Sequence, residues 1–252
     1  MISARNYIRD HGLDAKARIA PNVVMFHTGS AIPYLSETRH LREYSFKIPG
    51  FLGNPPVYGL EGSKDVCLVQ GGYGAPAAAC LVEAVVELGC RRIFALGLGG
   101  GVAEDVELGD AVIPSDIVRE EGTSFHYVAG AENACPDAAL LGDLRRFLTG
   151  KDDLRVHEGK TVSTDAPFRQ TVDKERRWRD EGILAVEMEL SAVLTVARYH
   201  RIPAVALLVI SDKHDLEGVT PWTWGKDGMR EGRERAIDLL VDFARGISKK
   251  QG

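Results

Sequence analysis

Cysteine is scarce and scattered. The 252 residues hold four, Cys67, Cys80, Cys90 and Cys135, with no Cys-x-x-Cys and no Cys/His cluster at zinc spacing. That argues against a disulfide scaffold and a structural zinc module, and no metal site is expected. Three of the four lie in or beside apolar segments, as small buried hydrophobes do. A reducing, cytoplasmic setting is expected from this usage. No apolar run is long enough to span a membrane. The stretch MISARNYIRDHGLDAKAR at the start is charged and lacks the apolar segment of a secretory signal. Positive charge is not in excess either. Lys plus Arg number 31 against 36 Asp plus Glu, a net charge of -5, so neither nucleic acid nor an acidic membrane is expected as a partner. Repeats and low-complexity linkers are absent. The 44% hydrophobic and 27% charged composition is that of a soluble globular chain, long enough to bury a core without staples.

Short apolar runs alternate with helical patterns almost throughout. Residues 22–26, 66–70, 92–96, 160–163, 182–186 and 203–210 read as strands, and 111–114 as a strand that continues toward Arg119. Residues 75–88, 137–148, 189–200 and 230–247 read as helices. The last carries Ala236, Leu239, Leu240 and Phe243 at helical spacing. The strands are apolar on both faces, as strands covered by helices on both sides must be. A single α/β domain over residues 1–252 is expected, its mixed central β-sheet covered by helices on both faces.

Two glycine clusters follow strands, Gly71–Gly74 and Gly97-Leu98-Gly99-Gly100-Gly101. Glycine lets a backbone turn sharply or approach a ligand closely. The second cluster contains Gly-x-Gly, but no helix opens directly after it, so a dinucleotide fingerprint is discounted. Both clusters are read as loops at the carboxyl ends of strands, serving either a turn or ligand approach.

Acidic residues mark two further strand ends. Glu187 and Glu189 flank Met188 at the start of an apolar helix, and Asp212 closes the strand 203–210 within Ser211-Asp212-Lys213-His214-Asp215. An acid in Asp212's place can protonate a leaving group; a helix cap or a salt bridge to Lys213 would put it there equally well. Charge at a helix N-terminus accounts for one glutamate more readily than for two around a methionine. Phe168 with Arg169 and Gln170 is a candidate site for a flat heterocycle, by stacking and hydrogen bonds; an exposed loop with an incidental Phe is the alternative. Trp222 and Trp224 are read as a lid, a subunit contact or a packed satellite cluster.

Together these segments resemble the nucleoside phosphorylase family of purine nucleoside and uridine phosphorylases and their hydrolase relatives. The resemblance covers about residues 23–241. It rests first on Val186-Glu187-Met188-Glu189 and Val209-Ile210-Ser211-Asp212, then on Gly97–Gly101 with Glu107-Leu108-Gly109-Asp110, and on the segment from Arg119 to Tyr127. It implies that Glu187, Met188 and Glu189 hold a ribose, that Asp212 protonates a departing base, and that Phe168, Arg169 and Gln170 read the base. It implies inorganic phosphate as cosubstrate, no cofactor, a small nucleoside as substrate, and a homo-oligomer, trimer or hexamer, built from dimers. The phosphate or nucleophile region would be Gly29, Gly97, Leu98 and Gly99. Here the chain departs from the family pattern: Ala95 and Leu98 stand where phosphate ligands are expected, and no Arg follows Gly29 at the usual place. Arg39, Arg42 and Lys47 are the candidate cations. Phosphorolysis to base and ribose 1-phosphate is the leading expectation, with hydrolysis or nucleoside binding without catalysis as alternatives. Tyr34 falls where the nucleosidase branch has its water-activating glutamate, with His27 and Glu37 as nominal substitutes. Purine and pyrimidine substrates both stay open.

Overall fold

Each apolar run read from the sequence becomes a strand of one sheet. The computed structural model describes residues 2–51, 53–130, 132–214, 216 and 228–249. Among these are nine strands: β1 (Asn22–His27), β2 (Leu41–Lys47), β3 (Pro56–Leu60), β4 (Val66–Gln70), β5 (Arg92–Gly101), β6 (Ala111–Glu120), β7 (Val156–Thr164), β8 (Ile183–Glu187) and β9 (Ala204–Lys213). The helices are α1 (Ala4–Asp10), α2 (Ala31–Thr38), α3 (Ala75–Glu87), α4 (Ala138–Leu148), α5 (Val172–Asp180), α6 (Leu190–Tyr199) and α7 (Met229–Lys249). Trp222, Trp224 and Asp215 lie outside the described residues. Among the described residues, no helix is long and apolar enough to cross a membrane.

The strand order is β2-β3-β4-β1-β5-β8-β7-β6-β9, and β9 also pairs with β5. That second pairing joins β5, β8, β7, β6 and β9 into a closed ring of strands. β1 runs parallel to β4 and β5, and β5 parallel to β9. Their carboxyl ends therefore share one end of the sheet, where open α/β sheets bind ligands. Side chains alternate across each strand. Val23 and Met25 join the core under α3 and α6. Val24 and Phe26 join the core under α4 and α7. Helices thus cover both faces, and inner strands such as β1, β4 and β9 are buried on both sides.

The glycine run 97–101 differs from its expected form. It is the second half of β5, not a loop after it. The reason is crowding. A Cβ on Gly97 would sit 3.1 Å from Leu208, and one on Gly99 would sit 3.0 Å from the Val186 carbonyl oxygen. Here β8 and β9 press on β5 from both sides, and the absence of side chains admits them.

Candidate active site

The acidic segment is built around two helix N-termini. The first N–H groups of a helix have no partner within it. Glu187, the last residue of β8, supplies one: its Oε2 accepts from the backbone N–H groups of Glu189 at 2.6 Å and Leu190 at 2.7 Å. Its Oε1 accepts from the Ser163 hydroxyl on β7, and Ser163 Oγ accepts in turn from the Ser191 N–H at 2.9 Å. Glu187 therefore caps α6 from behind. That leaves Glu189, whose own side chain does not cap α6, to reach across. Its Oε1 accepts from the Gly74 N–H at 2.6 Å, at the N-terminus of α3. Two positive helix ends thus meet one pair of carboxylates. Met188 lies half-buried between them.

Both carboxyls are buried. Burial raises the pKa of each above the ordinary range, and for Glu187 the neighbouring Glu189 adds to it, while the N–H donors oppose the shift. The folded chain therefore holds protons that the unfolded chain releases. This contribution to stability is complete below the unfolded pKa of about 4.3 and is lost as pH rises through the elevated folded values. Glu189→Gln, which cannot ionise, should gain stability relative to the parent between about pH 5 and about pH 8. Urea unfolding at the two pH values measures the difference; a constant gap would contradict it.

Asp212 stands on the other side of the same stretch of β5. A Cβ on Gly100 would lie 3.2 Å from Asp212 Oδ2 and 3.4 Å from Val186 Cγ1. Strand β9 runs on through Asp212, so the residue is not a helix cap there. Lys213 does not pair with it as expected for a simple salt bridge: the ammonium donates to the Glu104 and Val106 carbonyls at 2.7 and 2.8 Å. Asp212 is 5% exposed and its Oδ1 accepts from Ser211 Oγ at 2.6 Å. His214 Nε2 lies 3.9 Å from Asp212 Oδ2, and His214 Nδ1 lies 2.5 Å from Glu175 Oε1 on α5. The bond to Glu175 raises the His214 pKa.

The candidate nucleophile side has a different character. Gly29 follows β1, and its N–H donates to the Tyr73 hydroxyl at 3.2 Å. Thr28 Oγ1 and Ser30 Oγ share a hydrogen bond at 3.1 Å. Ala95 is fully buried and Leu98 packs beside the core. Arg39 is committed elsewhere, to Asp238 at 2.7 Å and Asp242 at 3.2 Å on α7. Tyr34 donates to Asp238 at 2.7 Å, and burial with that carboxylate pushes its pKa up to about 12, so it is no base. Arg42 and Lys47 lie exposed on β2. His27 closes β1 and is 2% exposed. Its Nδ1 lies 2.8 Å from the Gly72 carbonyl, and its Nε2 is buried without a hydrogen-bond partner among the described residues. Burial lowers its pKa to about 4 against the pull of that carbonyl, so the ring is neutral. A carbonyl only accepts, hence Nδ1 carries the proton and Nε2 the lone pair. The Gly71–Gly74 segment is shaped by this ring: a Cβ on Gly71 would lie 2.6 Å from His27 Cε1 and Nδ1.

The candidate base-reading residues are not gathered into this cluster. Phe168 is 95% exposed on the short 3-10 turn Pro167–Arg169, with Arg169 exposed and Gln170 half-buried. Arg119 is spent on structure, donating to Ser124 Oγ at 2.7 Å and to the carbonyls of Val128 and Glu132 at 2.8 and 3.1 Å. Three residues of interest are not marked as site candidates by the sequence: Glu121, Glu175 and His214. Glu121 is buried and accepts from Ser191 Oγ at 2.9 Å. For Glu175 no signal existed, because α5 itself is too polar to read as a packed helix. His214 was visible only as a neighbour of Asp212.

The fold and site together define an α/β protein that gathers buried carboxylates at the carboxyl end of the sheet, around the glycine-rich second half of β5. Residues 23–245 match the family model described as the phosphorylase superfamily. The chain belongs to that superfamily. It is 32% identical over 146 residues to a guanosine phosphorylase of Halorubrum lacusprofundi, covering 58% of this chain and about three fifths (60%) of that protein. It is also 32% identical over 166 residues to a 5'-methylthioadenosine/S-adenosylhomocysteine nucleosidase of Haemophilus influenzae, covering 62% of this chain and 72% of that one. Its fold superposes on a purine nucleoside phosphorylase from Toxoplasma gondii in complex with immucillin-H with a TM-score of 0.81, over 99% of this chain and 98% of the other, at 14% identity.

Proposed function

We propose that the chain cleaves the N-glycosidic bond of a nucleoside, with phosphate as the attacking group and free base and ribose 1-phosphate as products. The observation that carries this reading is the pair of acidic segments flanking Gly99 and Gly100: Val186–Glu189 on one side and Asp212 on the other. Glu189 and Met188 hold the ribose, and Glu187 fixes Glu189 by capping α6. Loss of the base leaves an oxocarbenium-like sugar, which a nearby carboxylate stabilises. Asp212 protonates the departing base, and His214, held by Glu175, resupplies the proton. Phe168, Arg169 and Gln170, which lie outside the acidic cluster in the free chain, close on the base when it is bound. Assembly as a dimer-based homo-oligomer and a cytoplasmic setting belong to the same reading, with Arg42 or Lys47 of a second copy as the source of positive charge.

One observation favours water as the attacking group. Ala95 and Leu98 bring no charge to the nucleophile side, and Arg39 is tied to α7. A buried dianion without cationic partners is costly. Product analysis tests the first reading against the second. Phosphate-dependent formation of ribose 1-phosphate supports phosphorolysis; free ribose at an undiminished rate without phosphate overturns it in favour of hydrolysis.

A further inference from the structure

The parallel register puts Met25 of β1 beside Ala95 of β5, and His27 beside Gly97. Met25 and Ala95 belong to the core cluster beneath α3 and α6. Alternation sets His27 on that same face, one step nearer the carboxyl end of the sheet. There β5 offers only Gly97, which has no side chain. His27 thus stands beside Gly97 at the carboxyl end of β1, in the part of the site assigned to the attacking group. Its Nδ1 is fixed by the Gly72 carbonyl at 2.8 Å. Two residues on, the Gly74 N–H holds Glu189. A buried polar atom without a partner demands an explanation, since such atoms are nearly always hydrogen-bonded. His27 Nε2 is one.

Resting on the N-glycosidic reading above, we infer that His27 is a catalytic residue whose Nε2 accepts a hydrogen bond from the attacking oxygen species. The attacker must therefore carry a proton. Water and hydrogen phosphate both do; an anion with no proton does not. With water, the C1'–O bond forms as the C1'–N bond breaks. The bonding pair leaves with the base, which takes a proton from Asp212. The proton lost by the attacking water passes to Nε2. A weak base suffices for that step, because water bonded to an oxocarbenium carbon is strongly acidic. With hydrogen phosphate, an unprotonated oxygen attacks and the P–O–H group donates to Nε2, without transfer.

Two substitutions separate contact from positioning. His27→Asn keeps an N–H for the Gly72 carbonyl and removes the acceptor at Nε2. His27→Gln gives up the first and sets an amide oxygen near the second. Both are assayed on a cleaved nucleoside with and without inorganic phosphate, after circular dichroism has shown each to be folded. The Asn variant is expected to lose roughly 10²-fold or more in kcat, with the KM for nucleoside little changed, while the Gln variant retains clearly more activity. Loss confined to the arm with phosphate identifies hydrogen phosphate as the donor; loss without phosphate identifies water. An Asn variant as active as the parent, or equal loss in both variants, overturns the inference and leaves the N-glycosidic reading standing. A parent chain that cleaves no nucleoside in either arm overturns both.

Discussion

Glu189→Ala is expected to lower kcat/KM for nucleoside cleavage by roughly 10²–10³-fold, the usual effect of removing one preorganised electrostatic contact to a developing charge. Two separate losses combine. The carboxylate no longer stabilises the cationic sugar or accepts from its hydroxyls. The part-buried Gly74 N–H also loses its acceptor, at a cost of up to about 1–3 kcal/mol, the figure for a fully buried donor. The second loss acts on stability and on the α3 terminus, so it needs a control. Glu189→Gln keeps an oxygen for Gly74 and removes only the charge. It should be as impaired in turnover as the alanine variant while unfolding at higher urea. If the glutamine variant is fully active, the charge is not used and Glu189 is merely a clasp between α3 and α6. Glu187 gives a contrast: its oxygens already serve Ser163, Glu189 and Leu190, so its replacement should act through stability as much as through turnover.

Asp212→Asn should lower kcat by roughly 10²–10⁴-fold on a nucleoside whose base must be protonated to leave. The same variant should be far less affected on a riboside with a leaving group that departs as a stable anion, such as 4-nitrophenolate. That contrast distinguishes a proton donor from a group that only holds the pocket together. Asparagine preserves the shape and can still accept from Ser211 Oγ, so folding should survive. Equal loss on both substrates would remove Asp212 from the proton-donor role. The nearby His214 and Glu175 pair would then be the next candidate source.

The sequence carried the fold wherever burial left a pattern. The strands around 22–26, 66–70 and 203–210 are apolar on both faces and stand out. Asp137 opens the helical pattern and caps α4, accepting from the Leu140 N–H at 2.9 Å. Elements without a sequence pattern are those held by few apolar residues. In α5 only Glu175 and Trp178 are buried, so its sequence shows charge and little periodicity. β2 is an edge strand with much of its surface in water. The second half of β5 looked like a loop because glycine is the usual mark of one; its reason for being there is the approach of β8 and β9, which only the tertiary structure reveals.

The candidate site divides along the same line. Glu187, Met188, Glu189 and Asp212 were legible because acids interrupt apolar segments at strand ends. Their division of labour was not. That Glu187 caps a helix and Glu189 reaches a different one depends on two helix N-termini meeting in space. His27 looked incidental, since the orphaned Nε2 exists only once Gly72 has claimed Nδ1. Phe168 had the right chemistry for stacking, yet the chain holds it in solvent.

Release of free base from a panel of purine and pyrimidine nucleosides tests the central claim most directly. The parent chain should release base from at least one of them, with one sugar product per base, and the Glu189→Ala and Asp212→Asn variants should both be strongly impaired on that substrate. Nucleoside binding without release, or release that persists undiminished in both variants, would contradict the account.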